Sequence, residues 1–315
     1  MGGGSWSRDT YDAVTGGRAA AGATFGYDAA ARRSGVYRAH EALDPTRLNA
    51  AGRNIRESRD GDDHPASLPI VVGFDSTGSM GSVPRVVQAK LATLFGLLVG
   101  RGYATDPQIA VATYGDATCD RVPLQISQFE SDNRIDDNLD LLLLEGGGGG
   151  NNGETSNLLL YYLAHHTETD SWAKRAKKGY VFLVADEKQV PIDAAHVREF
   201  TGDAQPLGGL GFAEIAADVS RTWDVRILLI NNASARHQRS QEFYENLFGP
   251  DALTVVQDPN AIAETIAAIV GFEEGKDLDT ITDDLTAAAG KEVAVRVGQS
   301  LSARRDARGA ARGLR

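Results

Sequence analysis

Cysteine is almost absent: Cys119 stands alone in 315 residues. That excludes an internal disulfide framework and a cysteine-built zinc site, and it fits a reducing compartment. Long apolar runs are missing as well. None approaches the roughly 18 residues of a membrane span. The opening Met-Gly-Gly-Gly-Ser-Trp-Ser-Arg has no apolar stretch of the signal-peptide kind. The expectation is a cytoplasmic protein with no membrane partner. Positive charge is scarce through the middle of the chain. Residues 1–65 carry nine Arg/Lys and nine Asp/Glu, and residues 276–315 carry eight and six. By difference, residues 66–275 hold fifteen basic and twenty-eight acidic residues, a net of −13. Phosphate contacts need clustered Lys and Arg, so this stretch is a poor nucleic-acid binder. It suits a cation site or a basic partner surface, although acidic residues that merely keep a protein soluble would look the same.

What is present is apolar material for a core, 42% of the chain, in a doubly wound pattern. Residues 68–74, Leu-Pro-Ile-Val-Val-Gly-Phe, read as a strand buried on both faces. A helix of about 82–100 follows, with Val83, Val87, Leu91, Leu94 and Leu98 spaced by three or four. Further strands are expected at 109–114, 122–126 (pairing with the last as a hairpin), 180–185, 225–230 and 253–256. Helices are expected at 136–144, 155–166, 212–223, 237–248 and 262–272. Strands alternating with helices predict an α/β fold, a mostly parallel sheet with right-handed crossovers and helices on both faces. Residues 66–275 form this domain. Residues 1–65 show no sustained period, yet carry Trp6, Tyr11, Phe25, Tyr27 and Tyr37. Five rings are too many for a free linker. They predict an extended arm lying on the domain or on a neighbouring copy, a possible route to a homo-oligomer, with residues 55–63 as a charged link. In residues 276–315 a helix at 277–289 precedes a basic tail with Arg304, Arg305, Arg308, Arg312 and Arg315. Such a tail could grip a nucleic acid or an acidic partner; more often it is solvated.

The chemistry sits where strands end. Asp75, Thr77 and Ser79 lie on the turn after the first strand, at the carboxyl edge where open α/β sheets bind ligands. One carboxylate and two hydroxyls at alternate positions make a cradle of hard oxygens for a small divalent cation. Asp75 could instead do no more than cap the helix. Gly146 to Gly150 precede Asn151, Asn152, Gly153, Glu154 and Thr155, and such glycines permit close backbone approach to a ligand. No Gly-Lys-Ser/Thr follows, which excludes a P-loop. Asp186 directly follows Val-Phe-Leu-Val-Ala and so lies at another strand's carboxyl end.

Asp75-Ser76-Thr77-Gly78-Ser79 resembles the first segment of the metal-ion-dependent adhesion site of von Willebrand factor A domains. The resemblance covers about residues 66–272. It implies a third hydroxyl from Thr155, with Ser156 the fallback, and a second carboxylate from Asp186. The family commonly reads Thr-Asp-Gly at that last position, where this chain has Ala185-Asp186-Glu187, so the role of Glu187 is open. By the resemblance Thr77, Ser79 and Thr155 bond Mg²⁺ or Mn²⁺ directly, Asp75 and Asp186 hold its waters, and an open position takes a partner's carboxylate. The implied function is a non-catalytic, metal-dependent protein–protein interaction module, with a MoxR-type AAA+ ATPase as a partner by analogy. Alternatives are a structural subunit of a homo-oligomer or particle, and a serine hydrolase. In the hydrolase, Thr77-Gly78-Ser79-Met80-Gly81 would form the nucleophile elbow with Asp186 and His237 as triad partners. Thr77 stands where that elbow wants Gly, and Asp75 would have no role. His165 and His166 read as capping or surface groups.

Overall fold

The structure is a computed structural model describing residues 5–13, 25–49, 51–80, 82–144, 153–230, 235–299 and 301, without the side chains of Ser79, Ala235 and Arg236. The glycine run 146–150 and the arginines from Arg304 onward lie outside the described residues. Along the rest run strands β1 (Arg56–Ser58), β2 (Leu68–Asp75), β3 (Pro107–Tyr114), β4 (Leu124–Ile126), β5 (Thr167–Thr169), β6 (Gly179–Ala185), β7 (Trp223–Ile230) and β8 (Leu253–Val256). Six of them form one sheet in the order β4-β3-β2-β6-β7-β8. All neighbours are parallel except β4, which runs antiparallel to β3 as the hairpin reading expected.

All eight residues of β2 are buried, because helices cover both faces of the sheet. Alternation along the strands sorts the core into two layers. Ile70, Val72, Phe74, Phe182 and Val184 point into one, and Val71, Val181, Leu183 and Ala185 into the other. The first layer is closed by helices Val83–Ala89, Leu91–Phe95, Arg134–Asp140, Ile262–Glu273 and Leu278–Ala289. The second is closed by Ser156–His165, Ala194–Thr201, Phe212–Val219 and Ala235–Phe248. This is the doubly wound α/β architecture. The chain leaves β2 for β3 on one side, while β6 pairs with β2 on the other. The crevice beyond the carboxyl ends of β2 and β6 is therefore the topological switch point, the ordinary ligand position in such sheets.

Three local expectations change. The helix read over 82–100 is broken at Lys90, where the pair Val83–Ala89 and Leu91–Gly100 bends by 49°. By length and composition that bent pair alone resembles a membrane span; its side chains Val87, Leu91, Leu94, Phe95 and Leu98 are buried in the core. No single described helix is long and apolar enough to cross a membrane. Next, the charged link is structured. Residues of β1 pair in parallel with β5, Arg56 opposite Thr167, in a separate two-stranded sheet. Ion pairs fix it there: Arg59 reaches Glu57, Glu168 and Asp170, and Asp60 meets Lys174 and Arg175. Finally, His166 is no surface group. It is buried, with Nδ1 2.8 Å from the Asn54 carbonyl and Nε2 2.8 Å from Asp203.

The arm lies on its own domain and is not extended throughout, since Gly26–Ser34 form a helix. Trp6 stacks on Phe95 at 5.3 Å between ring centres, and the Tyr11 hydroxyl donates to the Gln88 carbonyl at 2.7 Å. Tyr11, Phe25, Leu43 and Ile55 are all buried. The Trp6 and Tyr11 contacts fall on the helices that follow directly from the turn carrying Asp75.

Candidate metal centre

Asp75 is the last residue of β2 and is 1% exposed. Its backbone lies opposite Tyr114 of β3, whose carbonyl accepts from the Ser76 amide at 2.9 Å, so the turn leaves the sheet in a fixed direction. The Thr77 amide donates to Asp75 Oδ1 at 2.7 Å, which orients the carboxylate across the turn. Asp75 Oδ2 is sealed from solvent and has no hydrogen-bond partner among the described residues. Burial pushes this carboxyl up to about 7; the Thr77 hydrogen bonds pull the other way, and the charges of Asp186 and Asp120 add to the rise.

Thr155 precedes helix Ser156–His165 and is fully buried. Its hydroxyl donates to the Gly115 carbonyl at 2.7 Å and accepts from the Ala117 amide at 3.1 Å. Those bonds tie it to the segment just beyond Tyr114, hence to the edge where Asp75 stands. A hydroxyl has one donor and two acceptor positions, so one lone pair remains for a ligand. Ser156, the fallback, accepts from Gln189 Nε2 at 3.1 Å. Asp186 is 6% exposed immediately after β6, and it is near enough for its charge to raise Asp75. Glu187 is half-buried, and its carbonyl accepts from the Tyr244 hydroxyl at 3.1 Å. Ser79 lies in the turn Gly78–Met80, its side chain outside the described residues, and His237 falls in the first turn of Ala235–Phe248.

Sequence reasoning missed three carboxylates at this edge. Asp116 and Asp120 follow β3, and Glu154 precedes Thr155. The Asp116 amide donates to Asp120 Oδ2 at 2.7 Å, and Asp116 Oδ1 accepts from the Thr118 amide and hydroxyl at 2.9 and 2.7 Å. Burial raises Asp120, while the amide of Asp116 lowers it and the charge of Asp116 raises it further. Glu154 is pushed up to about 9 by burial, then by Asp75, Asp120, Asp116 and Glu187. The signal existed in the sequence: Gly115-Asp116 also lies at a strand's carboxyl end. Cys119, exposed in the same turn, has its thiol pushed up to about 12 by desolvation and its bond to Asp116, which disfavours the thiolate.

No family model matches the chain, and no curated protein matches it. Solved structures give its likenesses. One is the pilus adhesin SpaC from Lactobacillus rhamnosus GG in its open conformation: 10% identity, TM-score 0.43, 72% of this chain and 31% of that one. Another is proximal thread matrix protein 1 from the mussel byssus: 9% identity, TM-score 0.44, 66% of this chain and 46% of that one. The chain thus spans about a third of the adhesin and under half of the byssus protein. Likeness at this level says nothing of what this protein does.

The donors present fit a small hard cation. Among the described residues no three His, Cys, Asp or Glu side chains stand close enough to hold a metal by themselves. A centre here must therefore draw on hydroxyl oxygens as well as carboxylates, which is the donor set that Mg²⁺ accepts while retaining waters.

Proposed function

We propose that this edge of the sheet binds Mg²⁺ or Mn²⁺ through Asp75, Thr77, Ser79, Thr155 and Asp186, in the manner of the adhesion site of von Willebrand factor A domains. On this reading the chain is a cytoplasmic, non-catalytic module that docks a protein partner through the ion. The observation that carries it is Asp75 Oδ2: an acidic oxygen sealed from water, without a hydrogen-bond partner among the described residues, and with other carboxylates as neighbours. Such an oxygen is costly unless a proton or a cation satisfies it. When bound, the ion would offer an open position to a carboxylate of the partner; by analogy with the resembled family, a MoxR-type AAA+ ATPase is the partner to look for.

Capture of partners on the immobilised protein should require Mg²⁺, and should vanish in EDTA and with Asp75→Asn. An identical captured set under all three conditions overturns the reading. The hydrolase alternative has its own test. A fluorophosphonate probe should leave the native protein unlabelled, because Ser79 serves as a ligand and not as a nucleophile. Stoichiometric labelling lost in Ser79→Ala would replace the interaction module with an enzyme.

A further inference from the structure

Glu154 is absent from the ligand pattern of the resembled site, yet its backbone is fixed at this edge. Its amide donates to the Lys188 carbonyl at 3.1 Å, and its own carbonyl accepts from the Val190 amide at 3.0 Å. These bonds form an isolated parallel bridge to Gln189, three residues beyond Asp186. Gly153 seals the bridge from behind: a Cβ there would lie 2.7 Å from the Lys188 carbonyl oxygen and 2.7 Å from Val190 Cγ1. The loop bearing Thr155 and the loop bearing Asp186 are therefore stitched together through the backbone of Glu154. Glu154 is 8% exposed, and its Oε2 is sealed from solvent without a hydrogen-bond partner among the described residues. The charges bearing on it are Asp75, Asp120, Asp116 and Glu187, with Asp75 first. Two buried carboxylates with orphaned oxygens thus belong to one edge of the sheet: Asp75 ends β2, and Glu154 precedes Thr155, whose hydroxyl is bonded to Gly115 and Ala117 just beyond β3.

Resting on the metal reading above, we infer that Glu154 is a positioning residue for the ion, acting at one remove through water the ion retains. A third direct carboxylate ligand beside Asp75 and Asp186 is not the role, since among the described residues no three carboxylates stand close enough to share an ion. Glu154 accepts from that water, adds a negative charge to the cavity, and couples its occupancy to the junction of the two loops. Outer partners of this kind change metal affinity by about 10–100-fold when removed.

Titration calorimetry with Mn²⁺ on the full chain decides it. Glu154→Gln should bind about tenfold or more weakly, Glu187→Gln should bind as wild type, and Asp75→Asn should not bind. The ion-free Glu154→Gln protein should melt at or above wild type, because an unsatisfied buried acid has been removed without a change of shape. Wild-type affinity in Glu154→Gln, with binding lost in Asp75→Asn, overturns this inference and leaves the metal site standing. Equal weakening by Glu187→Gln also overturns it, since a diffuse field would then suffice. A lower melting point for ion-free Glu154→Gln means the carboxyl has a purely structural partner, and overturns it too. Absence of Mn²⁺ binding by the wild type overturns the metal reading itself.

Discussion

The wild-type protein should melt at a higher temperature in millimolar Mg²⁺ or Mn²⁺ than in EDTA, and Asp75→Asn should erase the difference. An ion that binds only the folded state stabilises it by RT ln(1 + [L]/Kd), about 2.7 kcal/mol at a hundredfold excess over Kd. Asparagine keeps an oxygen for the Thr77 amide and removes the buried charge, so the ion-free variant should be at least as stable as wild type. The pH dependence has a definite sign. Asp75 and Glu154 hold protons more tightly in the folded state than at their ordinary values of 3.8 and 4.5. Their contribution is therefore fully present at low pH and fades as pH climbs, through about 7 for Asp75 and about 9 for Glu154. In EDTA the melting temperature should fall between pH 5 and pH 8 by this route. In Mg²⁺ the fall should shrink, because the ion binds the ionised carboxylates and its affinity rises as they lose protons. Melting curves that ignore Mg²⁺ and Mn²⁺ at every pH, with no anomalous peak in Mn²⁺-soaked crystals, would sink the proposal.

Deleting residues 1–60 should cost the domain most of its stability. The deletion removes β1 and, among the described residues, four large buried apolar side chains, Tyr11, Phe25, Leu43 and Ile55. At about 1.5–3 kcal/mol for each such side chain, the loss is on the order of 6–12 kcal/mol. Domains of this kind have about 5–15 kcal/mol in total. The deletion also takes away Arg59 and Asp60, stranding Glu168, Asp170 and Arg175 on the surface. Size-exclusion chromatography should show aggregates or a larger species, and urea unfolding a midpoint far below that of the full chain. A truncated chain with the same mass, solubility and midpoint would show that the arm covers nothing of consequence.

How far the sequence could be read follows from what each segment buries. β2, β6 and β7 announce themselves because helices cover both of their faces, which forces near-continuous Val, Ile and Leu. Asp75 and Asp186 are legible for the same reason, each being the first polar residue after such a run. β1 and β5 are not: Arg-Glu-Ser and Thr-Glu-Thr are three residues long and polar, and they pair through backbone and ion pairs without an apolar face. The break at Lys90 leaves the apolar spacing of the helix almost intact, so periodicity alone reads through it. Glu154 stayed hidden because a Glu beside a glycine-rich loop looks solvated. Only the pairing of its backbone with Gln189 turns the side chain inward.

The union of β1 with β5 also sets an order of events. Asp60 takes its bond to Asp170 across 110 residues of chain, and a parallel pair so distant can form only after the intervening strands and helices exist as a platform. Closing a loop of that length is entropically unfavourable until β2, β3 and β6 have already drawn its ends together. During synthesis the first sixty residues emerge from the ribosome long before their seat does. β1 is thus made well before its seat and docks only once that seat has folded.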